Sequence, residues 1–411
     1  MRTRKWYKLD NIGKFYASIK DSKIPKVFRY SAVLENEIDS ETLQVALNKT
    51  IEIYNNFNVN LKKGLFWHYL DGTNKVNKVT KENLPVCFKI CNNSDDFLYR
   101  VSYFKRKINL EVSHILSDGR GSVEFFKQML TNYINLYYQL DVDTTTYNAS
   151  ATEKSEDSYI KYYQKSKLTK KAKTKPFIYR NKKIRNQIRF MECNLSVKKV
   201  LELAHHYNTT LTGFLVSVLI YSFKDELKIS DMNKYIKVDI PVDLRSYFKS
   251  FSLMNFFGLT TISYKFTSKN DSLKTIISEV NNQLKENLKK EKLIERVNLM
   301  VSFEKNWLLK FVPIFLKDIV LNLADKISSR YSTTCLSNIG IIKLNPEIEK
   351  KIDSISVLTS TNGFQFTICT LKDNLCIGIS SCFENNDVIK NFCRFFSSNN
   401  IELKINVSEV K

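Results

Sequence analysis

The chain has 411 residues, 43% hydrophobic and 26% charged. That size exceeds what one hydrophobic core usually organises, and that balance excludes large-scale disorder. Lys and Arg outnumber Asp and Glu by 64 to 42, a formal net charge of +22. No nucleic-acid-binding motif accompanies the charge, so it reads first as compositional bias that would assist any phosphate-bearing ligand, and no nucleic acid is expected as a partner.

In chain order, strand and helix signals alternate through the first half. "VFRYSAVLE" (27–35) is strand-like, and "DSETLQVALNKTIEIYNNF" (39–57) has helical periodicity behind an Asp/Ser cap. "FLYRVSYFK" and "INLEVSH" predict a hairpin through Arg106 and Lys107. Gly119 then opens an amphipathic helix with apolar residues at Val123, Phe126, Met129, Leu130, Tyr133 and Ile134.

Residues 141–176 turn polar and then lysine-rich, which predicts a solvated crossover between two domains. The boundaries expected are 1–145 for the first domain, 146–180 for the linker and 181–411 for the second. The second half predicts a strand in "NQIRFMECNLS", helices over Val197–Tyr207 and Thr210–Leu227, and strands in "YIKVDIPVDLR" and "FFGLTTISYKF". Helices follow over 271–292 and 307–327, then strands 331–338, 355–360, 364–371 and 375–382, and a helix from Asp387 to Phe396. "NWLLKFVPIFLKDIVLNLA" (306–324) is very apolar; it reads as a core or domain-contact helix, with a membrane-interface helix as the alternative.

"MRTRKWYKLD" lacks the apolar stretch of a signal peptide, and the longest apolar run, Leu211 to Phe223, is too short to span a bilayer, so no transmembrane segment is expected. The eight cysteines form no CxxC pair and read as buried thiols of a cytoplasmic protein.

Chemistry concentrates in "SHILSDGRGS" (113–122). With 4 histidines, 20 aspartates and 10 glycines in the chain, the spacing H-x-x-x-D-G arises by chance about 0.005 times. His114 falls at a strand-to-helix turn, where an imidazole of near-neutral pKa suits a general base. Gly119 would permit a sharp backbone path into the helix. Asp118 has two readings, a buried partner for a cation or a simple helix cap. No G-x-S-x-G nucleophile elbow, H-E-x-x-H zinc motif or P-loop is present, and no metal site is expected. "GRGSVE" carries Glu124 where a dinucleotide loop needs its third glycine.

"HILSDGRGSVEFFKQML" resembles the H-x-x-x-D-G segment of the acyltransferase superfamily of chloramphenicol acetyltransferases, BAHD acyltransferases and peptide-synthetase condensation domains. The likeness is closest to the bacterial alcohol acetyltransferases. "WYKLDNIGKFYASI", "VNLKKGLFWHYL", "DIPVDLRSYF", "LMNFFG" and "LSNIG" follow in that family's order. The resemblance implies an α+β (α/β sandwich) fold of two similar chloramphenicol-acetyltransferase-like domains with a tunnel between them. It implies His114 as catalytic base, with Asp118 and Gly119 structural and Arg245 pairing with Asp118. Ser337, Asn338 and Asn255 would contact substrate. The implied reaction is acyl transfer, the acyl group being acetyl in the first instance, from acetyl-CoA or another acyl-CoA to an alcohol or amine. No permanently bound cofactor is implied, and a monomer is expected. Ser113 stands where condensation domains usually carry a second histidine, which favours CoA over an acidic carrier protein as donor. A carrier-protein-dependent enzyme and an inactive binding member of the fold are the alternatives.

Overall fold

A computed structural model describes residues 5–19, 24–143, 147–165, 174–185, 187–268, 270–305, 311–328 and 330–408. The first half runs β1 (Trp6–Lys8), α1 (Asn11–Ser18), β2 (Val27–Leu34), α2 (Ser40–Ile53), β3 (Val59–Lys63), β4 (His68–Gly72), β5 (Thr80–Lys81), β6 (Tyr99–Phe104), β7 (Lys107–Ser113) and α3 (Gly119–Tyr138). Two short helices follow, α4 (Ala151–Lys154) and α5 (Ser158–Lys161). The second half begins with β8 (Arg189–Ser196), α6 (Val197–His206), α7 (Leu211–Ser222), β9 (Ile236–Asp243), β10 (Phe257–Tyr264), α8 (Leu273–Asn287), α9 (Lys290–Lys305) and α10 (Ile314–Ser328). It closes with β11 (Thr334–Ile341), α11 (Pro346–Lys350), β12 (Ile352–Thr359), β13 (Phe364–Leu371), β14 (Asn374–Ser381), α12 (Asp387–Ser398) and β15 (Lys404–Val407).

Among the described residues, the strands form two large sheets and one small one. A five-stranded sheet has the order β12-β2-β7-β6-β5, a seven-stranded sheet β10-β9-β11-β13-β14-β8-β15, and a three-stranded sheet β1-β4-β3. Each large sheet backs its own hydrophobic core, so the fold is a two-lobed α+β architecture. β12 lies late in the chain yet pairs antiparallel with β2, at the edge of the first lobe's sheet. The Thr367 hydroxyl in β13 donates to the Val357 carbonyl in β12, and the Cys369 thiol to the Ile355 carbonyl at 3.3 Å. These bonds fasten the two large sheets to each other.

Local chemistry explains the main elements. Asp39 caps α2 by accepting the Thr42 N–H at 2.7 Å. α7 is apolar nearly all round and is buried nearly all round, as a helix without a polar face must be. The hairpin of β6 and β7 turns at Lys105–Arg106, and Lys105 takes the left-handed φ of 49°.

Three expectations need correction. The 271–292 helix ends at Asn287, and a separate α9 starts at Lys290 and runs on to Lys305, beyond the residues assigned from sequence. The stretch after 146 is not a solvated linker throughout. Tyr159 is wholly buried and its hydroxyl donates to the Phe257 carbonyl at 2.7 Å, while the Lys154 carbonyl accepts the Leu253 N–H. The lysine cluster at 166–173 and residues 306–310 of the apolar segment lie outside the described residues. Finally, the core reading of α10 falls and its reading as a contact helix holds: one side packs on the first half of the chain and the other is exposed. No described helix is long and apolar enough to cross a membrane.

Candidate active site

β7 ends at Ser113, and the chain turns over five residues into α3. His114 sits at the top of that turn, its backbone N–H donating to the Lys26 carbonyl at 2.9 Å. Its ring stacks on Tyr16 from α1 (centroids 5.1 Å, 29°) and lies against Phe28 from β2 (4.6 Å, 52°). Desolvation by this surround pushes the imidazole down to about 4, against the opposing pull of the Asp118 charge and the Asn255 side chain. The near-neutral pKa expected from sequence is therefore corrected: at pH 7 the ring is neutral and already able to accept a proton.

Asp118 divides its two oxygens between two tasks. Oδ1 accepts the Gly121 N–H at 2.8 Å and caps α3. Oδ2 accepts the Phe256 N–H at 2.7 Å and lies 3.0 Å from Arg245 Nη1. Arg245 stands in a single turn just past β9, and it is nearly buried. Nη1 also reaches Asp243 Oδ1 (3.1 Å) and the Phe256 carbonyl, while Nε and Nη2 donate to the carbonyls of Ser252 and Met254. One guanidinium thus fixes the 252–256 loop against the start of α3. Burial works against its charge, but Asp118 and Asp243 outweigh that and hold its pKa above the ordinary arginine range.

Gly119 does not adopt a left-handed backbone, so the reason expected for it is corrected. A Cβ there would come within 2.8 Å of Ile339 Cδ1, and its carbonyl accepts the Tyr30 hydroxyl at 2.6 Å. Gly121 is tighter still, because a Cβ would meet the Leu253 carbonyl oxygen at 2.2 Å.

Asn255 is also corrected. It is buried, does not line the cavity, and its Nδ2 donates to the His114 carbonyl at 3.0 Å and to Asp10 Oδ2 at 3.0 Å. Asp10, wholly buried, caps α1 through the Gly13 N–H at 2.7 Å. Burial raises its carboxyl to about 7, while the Gly13 and Asn255 donors pull the other way. Sequence reading missed Asp10, Tyr16 and Phe28. Asp10 and Tyr16 lie in "WYKLDNIGKFYASI", which carries part of the family resemblance, but nothing in that stretch tells of a partner 245 residues away.

His114, Asp118, Gly119, Arg120 and Arg245 line one large cavity of about 2900 Å³, together with Tyr16 and Phe28. β11 supplies another wall, with Ser337 and Asn338. Asn338 Nδ2 donates to Thr212 Oγ1 at 2.9 Å and its Oδ1 accepts the Gly340 N–H at 2.9 Å, so both ends of this amide are held by the protein. Three thiols reach the same cavity, Cys87, Cys335 and Cys382. Burial raises all three, Cys335 to about 12, so none presents a thiolate at neutral pH. Among the described residues, no group of three or more His, Cys, Asp or Glu side chains could hold a metal ion.

No profile of a known protein family matches this chain, and no curated protein matches it. Solved structures do. TRI101 of F. graminearum, complexed with coenzyme A and T-2 mycotoxin, is similar over 97% of this chain and 99% of its own, at 11% identity and a TM-score of 0.64. Polyketide synthase associated protein 5 from Mycobacterium tuberculosis is similar over 95% and 96%, at 11% identity and a TM-score of 0.61. The first condensation domain of the CDA synthetase is similar over 96% and 95%, at 9% identity and a TM-score of 0.60. At such identities the shared property is the fold: this chain has, over nearly its whole length, the two-lobed fold of those proteins.

Proposed function

We propose that this protein is an acyltransferase that moves an acyl group, in the first instance acetyl, from a CoA thioester to an alcohol hydroxyl. The observation that carries the reading is the state of His114. Its ring is neutral at pH 7 and lines a cavity large enough for two substrates, while Asp118 is fully engaged by Arg245 and backbone donors. His114 takes the proton of the bound hydroxyl, and the oxygen attacks the thioester carbonyl carbon. The tetrahedral oxyanion then collapses, the carbon–sulfur bond breaks, and the imidazolium returns its proton to the departing thiolate. The raised thiols of Cys87, Cys335 and Cys382 support direct transfer without an acylated cysteine. Ser337 and Asn338 would shape the cavity around the substrates, and the cavity's arginines and lysines would meet the CoA phosphates. The eight free cysteines support a cytoplasmic location. Domain limits near 145 and 180 remain part of the same reading, with β12 reaching back to the first sheet.

The net charge of +22 also suits an acidic carrier protein as donor, which is the second reading. Incubation with radiolabelled acetyl-CoA and a panel of alcohols and amines tests the first. Label should pass to at least one acceptor with wild type and not with His114→Ala. Transfer from an acyl-loaded carrier protein but not from acyl-CoA would establish the second reading. A protein that transfers neither would be a binding member of the fold.

A further inference from the structure

The inner side of α10 is stitched to the protein. Lys317 Nζ donates to the Phe66 carbonyl at 3.0 Å and lies 3.5 Å from the Trp67 ring centroid. Asp318 meets Lys63 at 3.1 Å, Asn322 donates to the Ser18 carbonyl at 2.9 Å, and Asp325 meets Lys26 at 3.3 Å. The helix therefore turns both of its acids inward, each against a lysine.

Among the described residues, nothing covers the outer side to the same degree. Phe315, Leu316, Ile319, Val320, Leu323 and Ile327 are between 43% and 65% exposed. Their spacing of three and four residues places them in one stripe along a helix about 22 Å long. The stripe continues onto the turn between β3 and β4, because the Leu65 carbonyl accepts the Ile314 N–H at 3.1 Å and Leu65 is 70% exposed. Isolated exposed apolar residues are ordinary, whereas a continuous stripe of this kind marks a contact surface.

Charge decides what it contacts. The outward stripe of α10 carries no acid, and exposed Arg330 stands just past its C-terminal end, in a chain of net charge +22. A second copy would bring the same excess of cations against itself. An anionic bilayer offers acyl chains to the stripe and phosphates to the cations, the arrangement of an interfacial amphipathic helix. We propose that this face docks on the surface of an anionic lipid bilayer, with α10 lying in the plane of the headgroups. Docking there brings the cavity to the membrane. Asn322, Asp325, Lys326 and Arg330 line the cavity, and α10 packs on α1, whose Tyr16 stacks on His114. The proposal stands apart from the acyl-transfer reading, since vesicle binding is measured without any substrate.

Co-sedimentation with sucrose-loaded vesicles tests it, comparing pure phosphatidylcholine with phosphatidylcholine containing phosphatidylglycerol at about three parts in ten. Wild type should partition onto the anionic vesicles at least about tenfold better than onto the neutral ones. Ile319→Asp with Leu323→Asp should abolish that binding, with circular dichroism and Tm near wild type, because neither residue lines the cavity. Leu323→Gln alone serves if the double variant loses its fold, and it should weaken vesicle binding in the same direction. Wild type left in the supernatant with both vesicle types overturns the proposal, as does unaltered binding by the folded variants. A concentration-dependent dimer in light scattering that the same substitutions dissolve overturns it in favour of a second copy.

Discussion

The β7–α3 wall of the cavity is tied to the second half by charge, whereas the β11 wall is held mainly by backbone pairing. On the first, Asp118, Arg245, Asn255 and Asp10 form a buried net in which each side chain serves more than one partner. On the second, β11 pairs in parallel with β13 and β9, with a register shift between Asn338 and Gly340, and Asn338 adds two side-chain bonds. Groups that must hold one geometry sit where removing any one of them strands a buried polar atom. A wall that shapes substrate can change residues at lower cost.

Breaking the first wall should give the larger effects. His114→Ala should leave the fold intact, since the ring's contacts are two aromatic faces, yet lower kcat/KM by about 10²–10⁴-fold. Steady-state kinetics beside a thermal melt would check it, and near wild-type turnover would remove His114 from the chemistry. Arg245→Ala and Asp118→Asn should each cost about 3–5 kcal/mol, because the surviving partner stays desolvated. Denaturant unfolding of both singles and the double should be strongly non-additive, and strict additivity would dissolve the pair.

The pH profile sharpens the comparison at the base itself. A group depressed to about 4 is deprotonated throughout the neutral range, so transfer should be flat from about pH 6 to 8 and fall as the pH drops through the folded value. A midpoint near 6.5 would mean that the aromatic surround does not desolvate the ring. The smallest effect belongs to the second wall. Asn338→Ala should cost about 1 kcal/mol by freeing the Thr212 hydroxyl and the Gly340 N–H, with kcat/KM changed only a few-fold. A loss as large as that of His114→Ala would make Asn338 part of the chemistry.

Sequence alone determined most elements with a strong period, from β2 and α2 through the β6–β7 hairpin to β13 and β14. Those patterns are local, and burial of one face suffices to write them into spacing. It also determined the His114-x-x-x-Asp118-Gly119 turn, whose parts lie within six residues. Arg245 was legible only through likeness to a family, because nothing in "PVDLRSYF" names a partner 127 residues away. Tertiary structure decided the rest. Asp10 and Asn255 meet across 245 residues, and a cap pattern does not reveal how deeply its carboxylate is buried. The pKa of His114 depends on Tyr16 and Phe28 arriving from two other elements, so the imidazole could not be read from its own segment. The face of α10 follows the same logic. An apolar run records that the side chains avoid water in some context, but only the packing of α1 and the β3–β4 turn shows which side of the helix is left to meet another surface.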